Sequence, residues 1–233
     1  MKHIILFCHL IISLGLLLQG CAYGPHIVEV PLMRGKNDAK INVGLSFPTL
    51  ALPAISLSAT YAPTDHFAIQ GQGEYMFNNY YHAQLAFGYY HKFANNTVLE
   101  NYYGAEIGNG TGWRKVHVDE NFLSGTYTIG FTQINYGKIG LKANGEVGGG
   151  LKIGYQYGEF FDHYYYHDKI STSAYSGNFY YHGLVLEPTI FYRFGWEHFK
   201  IGFQLSGCYA PSLVKYKLPY AKFSGGISFS YQF

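Results

Sequence analysis

The densest chemistry in the sequence is the run Asp162, His163, Tyr164, Tyr165, Tyr166, His167 and Asp168. Two imidazoles flanked by two carboxylates suit Zn²⁺ or Cu²⁺, which accept nitrogen and oxygen donors of this kind. Acid–base work would need the same groups within hydrogen-bond reach of a substrate or its attacking water. In an extended strand His163 and His167 stand about 13 Å apart, so either chemistry requires a folded loop. The other reading is an exposed aromatic-polar loop, suited to adhesion. No nucleophile motif and no phosphate loop is present, so the sequence assigns no catalytic residue and no cofactor. Tyr-Tyr-His recurs at 80–82, 89–91, 165–167 and 180–182, and an aromatic belt at a membrane interface accounts for most of these better than ligation does.

The elements that would carry such a loop are most legible at 80–91. Tyr81, Ala83, Leu85, Phe87 and Tyr89 alternate with Tyr80, His82, Gln84, Ala86, Gly88 and Tyr90. A period of two puts these sets on opposite faces of a strand. The end tyrosines lie about 26 Å apart, which fits a tilted strand crossing an outer-membrane apolar band. Composition agrees. Of 233 residues 13% are charged and 19% aromatic, with 24 Tyr and 29 Gly, whereas a soluble domain is about a quarter charged. The chain beyond its first twenty residues has no apolar run of about 20, which excludes a helical span there. A formal charge of +2 gives no reason to expect nucleic acid as a partner.

Lys2 followed by Ile4–Leu18 has signal-peptide length. Leu18, Gln19, Gly20 and Cys21 resemble a bacterial lipobox, which implies cleavage after Gly20 and acylation of Cys21 by the lipoprotein-processing enzymes. Cys8 would leave with the signal and Cys21 would take lipid, which leaves Cys208 without an intramolecular disulfide partner. The expected organisation is a signal over 1–20, a periplasmic tether over 21–37 and a barrel over 38–233. Pro25 and Pro31 interrupt any regular element in the tether. Tyr23, Pro25, Val30-Pro31-Leu32 and the following Arg34-Gly35 are similar to the segment after the lipidated Cys in predicted barrel lipoproteins of Bacteroidota. Many members of that group have no assigned activity, so the resemblance implies a location and a fold.

Alternation then continues to the end of the chain. It predicts an all-β, closed antiparallel up-and-down barrel of about ten strands. The count turns on 134–146, where Asn135-Tyr136-Gly137 and Asn144-Gly145 both have turn chemistry, leaving eight or twelve open as alternatives to about ten. Pro188 cannot donate to a ladder and predicts a bulge or disruption in its strand. Longer outward loops are expected near 109–121 and 161–178. Ile227, Phe229, Tyr231 and Phe233 resemble the C-terminal signature read by the barrel-assembly machinery. With Phe77, Tyr81, Tyr89 and Tyr209, the last two of these would form aromatic girdles against outer-membrane lipids.

By the same parity Lys40, Glu74, Glu106, Glu146, Lys152, Glu187, Arg193, Lys200 and Lys222 face the lumen. Mixed charge in a narrow barrel favours a lumen filled by its own ion pairs. The expected role is structural or surface-interacting, in the outer membrane and lipid-anchored at Cys21. The alternatives are a narrow conduit for small or apolar solutes and a rim enzyme acting on lipid or peptide. Oligomeric state stays open.

Overall fold

Strands with two unlike faces pair into a sheet that must cover one face or close on it. The computed structural model describes residues 28–49, 52–76, 80–116, 119–167, 172–214, 220 and 222–233. Among these, ten strands follow one another: β1 (Ala39–Thr49), β2 (Leu52–Tyr61), β3 (Phe67–Met76), β4 (Tyr80–Lys92), β5 (Thr97–Val116), β6 (Asp119–Leu141), β7 (Gly145–His167), β8 (Thr172–Gly195), β9 (Phe199–Gly207) and β10 (Phe223–Gln232). Each pairs antiparallel with its sequence neighbours, and β10 returns to β1, so the barrel is closed. The seam runs from Lys40 opposite Gln232 to Phe47 opposite Gly225, and Phe233 N–H donates to the Ala39 carbonyl at 2.9 Å.

The alternation sorts side chains as its period requires. In β4, Tyr81, Leu85, Phe87 and Tyr89 are exposed on the outside, and Tyr80, His82, Gln84, Ala86 and Tyr90 are buried. Short connections gather at one end, hereafter the turn end, where β1 begins and β10 stops. Thr64 Oγ1 accepts from Phe67 N–H at 3.0 Å in the β2–β3 turn. Trp196 N–H donates to the Phe199 carbonyl at 2.7 Å between β8 and β9. The ambiguity at 134–146 resolves to the second signal: Asn135, Tyr136 and Gly137 lie inside β6, and the chain turns through Lys142–Asn144. Ala143 and Asn144 there take φ values of 55° and 51°. One turn instead of two fixes the count at ten.

Three expectations need correction. The stretches 109–121 and 161–178 are largely strand instead of long loops. β5 and β6 stay paired from Thr97 opposite Lys138 to Val116 opposite Asp119, and β7 and β8 from Glu146 opposite Arg193 to His167 opposite Thr172. β5–β8 have 20, 23, 23 and 24 residues, while β4 pairs with β5 only as far as His82 opposite Gly108. The four strands therefore rise beyond the rest at the opposite, loop end. Second, alternation in β6 sets Leu123, Tyr127, Ile129 and Phe131 against Ser124, Thr126, Thr128 and Thr132 and predicts the apolar set outward, yet that set is buried and Thr126, Thr128 and Gly130 face outward. Parity holds but polarity inverts, because the interior at that height is an aromatic core that includes Tyr102, Phe160 and Tyr181. Third, residues 28–33, expected within a tether outside the barrel, are buried in its interior.

Pro188 acts on one side only. Its pairing with β7 keeps register at Leu151. Toward β9 the ladder stops at Thr189–Ser206 and resumes as a bridge between Leu186 and Tyr209. The missing proline N–H accounts for the gap.

Candidate functional site

The charged constellations that the described residues bring together lie in the lumen. Its lowest part contains the segment from Val28 to Met33, which has no periodic side-chain pattern and is held through its backbone. The Val28 carbonyl accepts from Gln204 Nε2 at 2.8 Å. The Glu29 carbonyl accepts from Gln70 at 3.1 Å and Gln133 at 2.7 Å. The Val30 carbonyl accepts from Arg193 Nη1 at 2.7 Å and the Pro31 carbonyl from Lys40 Nζ at 2.8 Å. Met33 N–H donates to Glu100 Oε1 at 2.8 Å. Buried backbone groups need such partners, and here the wall supplies them. Leu32 takes a φ of 53°, uncommon for a bulky residue. Its side chain is offset by packing against Val30, Val98, Ile139 and Phe191.

Around and above the segment the charges form two layers of opposite sense. Near the turn end Glu146 is surrounded by cations: Lys40 at 2.9 Å, Arg34 at 3.2 Å, Lys200 at 3.3 Å and Arg193 at 3.6 Å. Glu29 joins this layer, accepting from Asn42 Nδ2 at 2.6 Å and Ser58 Oγ at 2.9 Å, with Arg193 Nη2 at 3.5 Å. The Arg193 guanidinium also lies 4.2 Å from the Phe191 ring. Higher up the roles reverse. Lys152 is the central cation, paired with Glu106 and, at 3.2 Å, with Glu187, while His82 Nε2 sits 3.7 Å from Glu106. Lys152 Nζ lies 4.7 Å from the Phe131 ring. Above this the aromatic core takes over, with Phe160 stacked on Phe179 at 5.9 Å.

Of the predicted lumen charges, Lys40, Glu74, Glu106, Glu146, Lys152, Glu187, Arg193 and Lys200 are all buried inside. Lys222 is the exception: it precedes the first residue of β10 and is exposed. Parity extrapolated one residue beyond a strand does not bind a side chain. Glu29 and Glu100 are buried participants that were not predicted. Glu100 shares the even parity of Glu106 and was available to that rule; Glu29 has no such signal. Tyr81, Tyr89, Tyr209, Tyr231 and Phe233 are exposed on the outer surface, and Tyr231 meets Phe233 edge-on at 4.8 Å. Phe77, Cys21 and Asp168 lie outside the described residues.

Asp162, His163 and His167 belong to β7, where their backbone pairs with Gly177, Ser176 and Thr172 of β8. Strand geometry keeps residues four apart separated by about 13 Å, so the folded loop that metal or acid–base chemistry required is replaced by a hairpin. Among the described residues no group of three or more His, Cys, Asp or Glu is placed to hold a metal ion.

No protein-family model matches the sequence, and no curated protein matches it. Solved structures that are similar include the N-terminal β-barrel domain of Pseudomonas aeruginosa OprF, at 13% identity and a TM-score of 0.29, covering 86% of this chain and 100% of that one. OmpT, an outer membrane protein of Vibrio cholerae, in-vitro folded, is similar in its trimer form at 10% identity and a TM-score of 0.23, covering 84% and 98%. These likenesses are weak, and the closed ten-stranded antiparallel barrel is established by its own strand pairing.

Proposed function

We propose that the protein is an outer-membrane barrel anchored by lipid on Cys21, with a sealed lumen and a structural or surface-interacting role. The observation that carries this reading is the filled interior. Residues 28–33 are buried within the wall, and the two ion layers and the aromatic core continue the filling upward. A barrel of this size has little room beyond its own side chains, and the bonded segment removes what room remains. Membrane integration is supported by the outer face, where Leu85, Tyr103 and Ile190 are 52%, 62% and 64% exposed. So large an apolar surface marks contact with lipid or protein, and a closed barrel leaves no unpaired edge to lipid. The projecting β5–β8 sheet is the part offered to other surfaces. Lipoprotein-processing enzymes and the barrel-assembly machinery are the partners this route requires.

Planar-bilayer recording tests the seal. The folded full-length protein, verified by a boiled-against-unboiled gel shift, should show no steady conductance. A steady conductance from the intact protein would sink the sealed-scaffold reading in favour of the conduit. Incorporation of labelled palmitate, lost in Cys21→Ser, tests the anchor separately.

A further inference from the structure

Where β4 ends, the outer face of the barrel changes character. The N–H of Tyr81, at the loop end of β4, donates to Asn109 Oδ1 at 2.7 Å, and from that level β5–β8 rise beyond the rest. Their register lays outward side chains in rungs across the four strands. Asn109, Thr126, Glu159 and Tyr180 make one rung. Thr111, Ser124, Phe161 and Asn178 make the next one up. Lower on the wall the outward groups include Leu85, Ile134, Leu151 and Ile190. These two rungs hold no Leu, Ile or Val, and no Lys or Arg.

The face is nonetheless not simply hydrophilic. Tyr157, Phe161 and Tyr180 are all exposed on it, and the Tyr157 and Tyr180 rings lie 6.3 Å apart with planes 16° from parallel. Glu159 stands between Tyr157 and Phe161 along β7 and accepts from Asn178 Nδ2 at 3.3 Å. Acyl chains do not suit this surface, because they would strip water from Thr126, Glu159 and Asn178 and return no hydrogen bond. Anionic headgroups do not suit it either, since the rungs carry a carboxylate and no cation to meet them. Exposed apolar area of this kind marks a contact surface. A neutral sugar matches both halves of it. Pyranose C–H groups pack on the negative faces of aromatic rings, while sugar hydroxyls both donate to a carboxylate and exchange hydrogen bonds with an amide.

We infer that the outer face of the projecting β7–β8 hairpin binds the neutral saccharide of an outer-leaflet glycolipid, directly above the hydrocarbon. The inference rests on the outward placement of the β5–β8 sheet proposed above. The reach agrees with it. Phe161 stands four residues beyond Tyr157, about 13 Å along the strand and about 9 Å in height at a tilt near 45°. That distance carries the face from the girdle into the polar layer of the membrane. The patch is also continuous with the lipid-facing wall below, so the same lipid molecules whose chains touch that wall bring their sugars to it.

The test is calorimetric titration of the folded full-length protein in detergent. The probe is the saccharide of the outer-membrane glycolipid from the cells that natively make the protein, with its acyl chains and phosphates removed. The parent should bind it, and Tyr180→Ala should weaken binding at least about tenfold, or about 1.4 kcal/mol. Tyr180→Phe, which keeps the ring, should bind like the parent. Phe161→Ala is the second variant, and Tyr136→Ala, also exposed but near the turn end, should change nothing. The gel shift verifies folding of each. Binding that survives both Tyr180→Ala and Phe161→Ala would overturn the inference, as would binding only when phosphates or acyl chains are retained. A parent that ignores the sugar and instead pairs with a second copy through this face would also overturn it. Asn178→Cys in intact cells, probed with a membrane-impermeant maleimide, checks the placement separately. Labelling without permeabilisation is expected; labelling only after it would remove the outer leaflet as the source, whatever the titration shows.

Discussion

The two ion layers use the same chemistry with the signs exchanged. Near the turn end one carboxylate, Glu146, faces four cations; higher up one ammonium, Lys152, faces two carboxylates. They differ in what happens when the central charge is lost. Carboxyl groups left together can take up protons, whereas an arginine cannot shed its charge. The lower layer is therefore the less forgiving, and it is also the one that grips residues 28–33. The comparison teaches that the structural demand and the plug coincide at one end of the barrel.

Glu146→Gln should have the largest effect, leaving Lys40, Arg193 and Lys200 buried without their shared anion. Breaking a buried pair costs about 3–5 kcal/mol, and the urea midpoint of the gel shift in detergent micelles should fall accordingly. An unchanged midpoint would remove the distinction between the layers. Lys152→Met should come next, at about 3 kcal/mol, the low end of that range. Its urea midpoint should fall by less than that of Glu146→Gln, because carboxyl groups left without their ammonium can be neutralised by protons whereas the Arg193 guanidinium stays charged. An equal fall in both variants would contradict the account of why the layers differ.

Glu29→Gln keeps the size of the side chain but weakens three charge-assisted bonds, to Asn42, Ser58 and Arg193. A loss of about 1–3 kcal/mol is expected, with intermittent conductance steps in bilayers where the parent shows none. Silent bilayers would mean that the seal does not depend on Glu29. The smallest effect calibrates the scale: Ala143→Gly touches neither layer and relieves a residue at φ 55°. It should raise stability by about 0.5–1 kcal/mol, since glycine alone visits that region without steric cost.

The sequence revealed most where side chains alternate against two different environments. β1–β4, β9 and β10 carry that contrast through almost their whole length and β5, β7 and β8 through their lower parts, and the lumen charges followed from it. The upper parts of β5–β8 do not, since their mixture of tyrosine, glycine and polar residues looks like loop composition. Polarity inverts along β6 because Tyr127 and Phe131 face an aromatic core where Gln133 and Asn135 face a polar one. Residues 28–31 were illegible for a different reason: the wall recognises their carbonyl oxygens, which every residue type possesses. Their partners Gln70, Gln133 and Gln204 are uncharged and carried no signal of what they would hold.

The seam between β1 and β10 has a consequence for how the molecule comes into being. β10 is the final strand of the chain and the segment 28–33 lies just before the first, so the last strand made completes the ring around the stretch that preceded β1. A finished wall offers that stretch no side entrance, so it enters either by lying on the open sheet before Lys40 finds Gln232 or by threading lengthwise through an end of the closed ring. Once the ring is shut, withdrawal of the enclosed stretch means either sliding lengthwise past its own hydrogen bonds or reopening the seam.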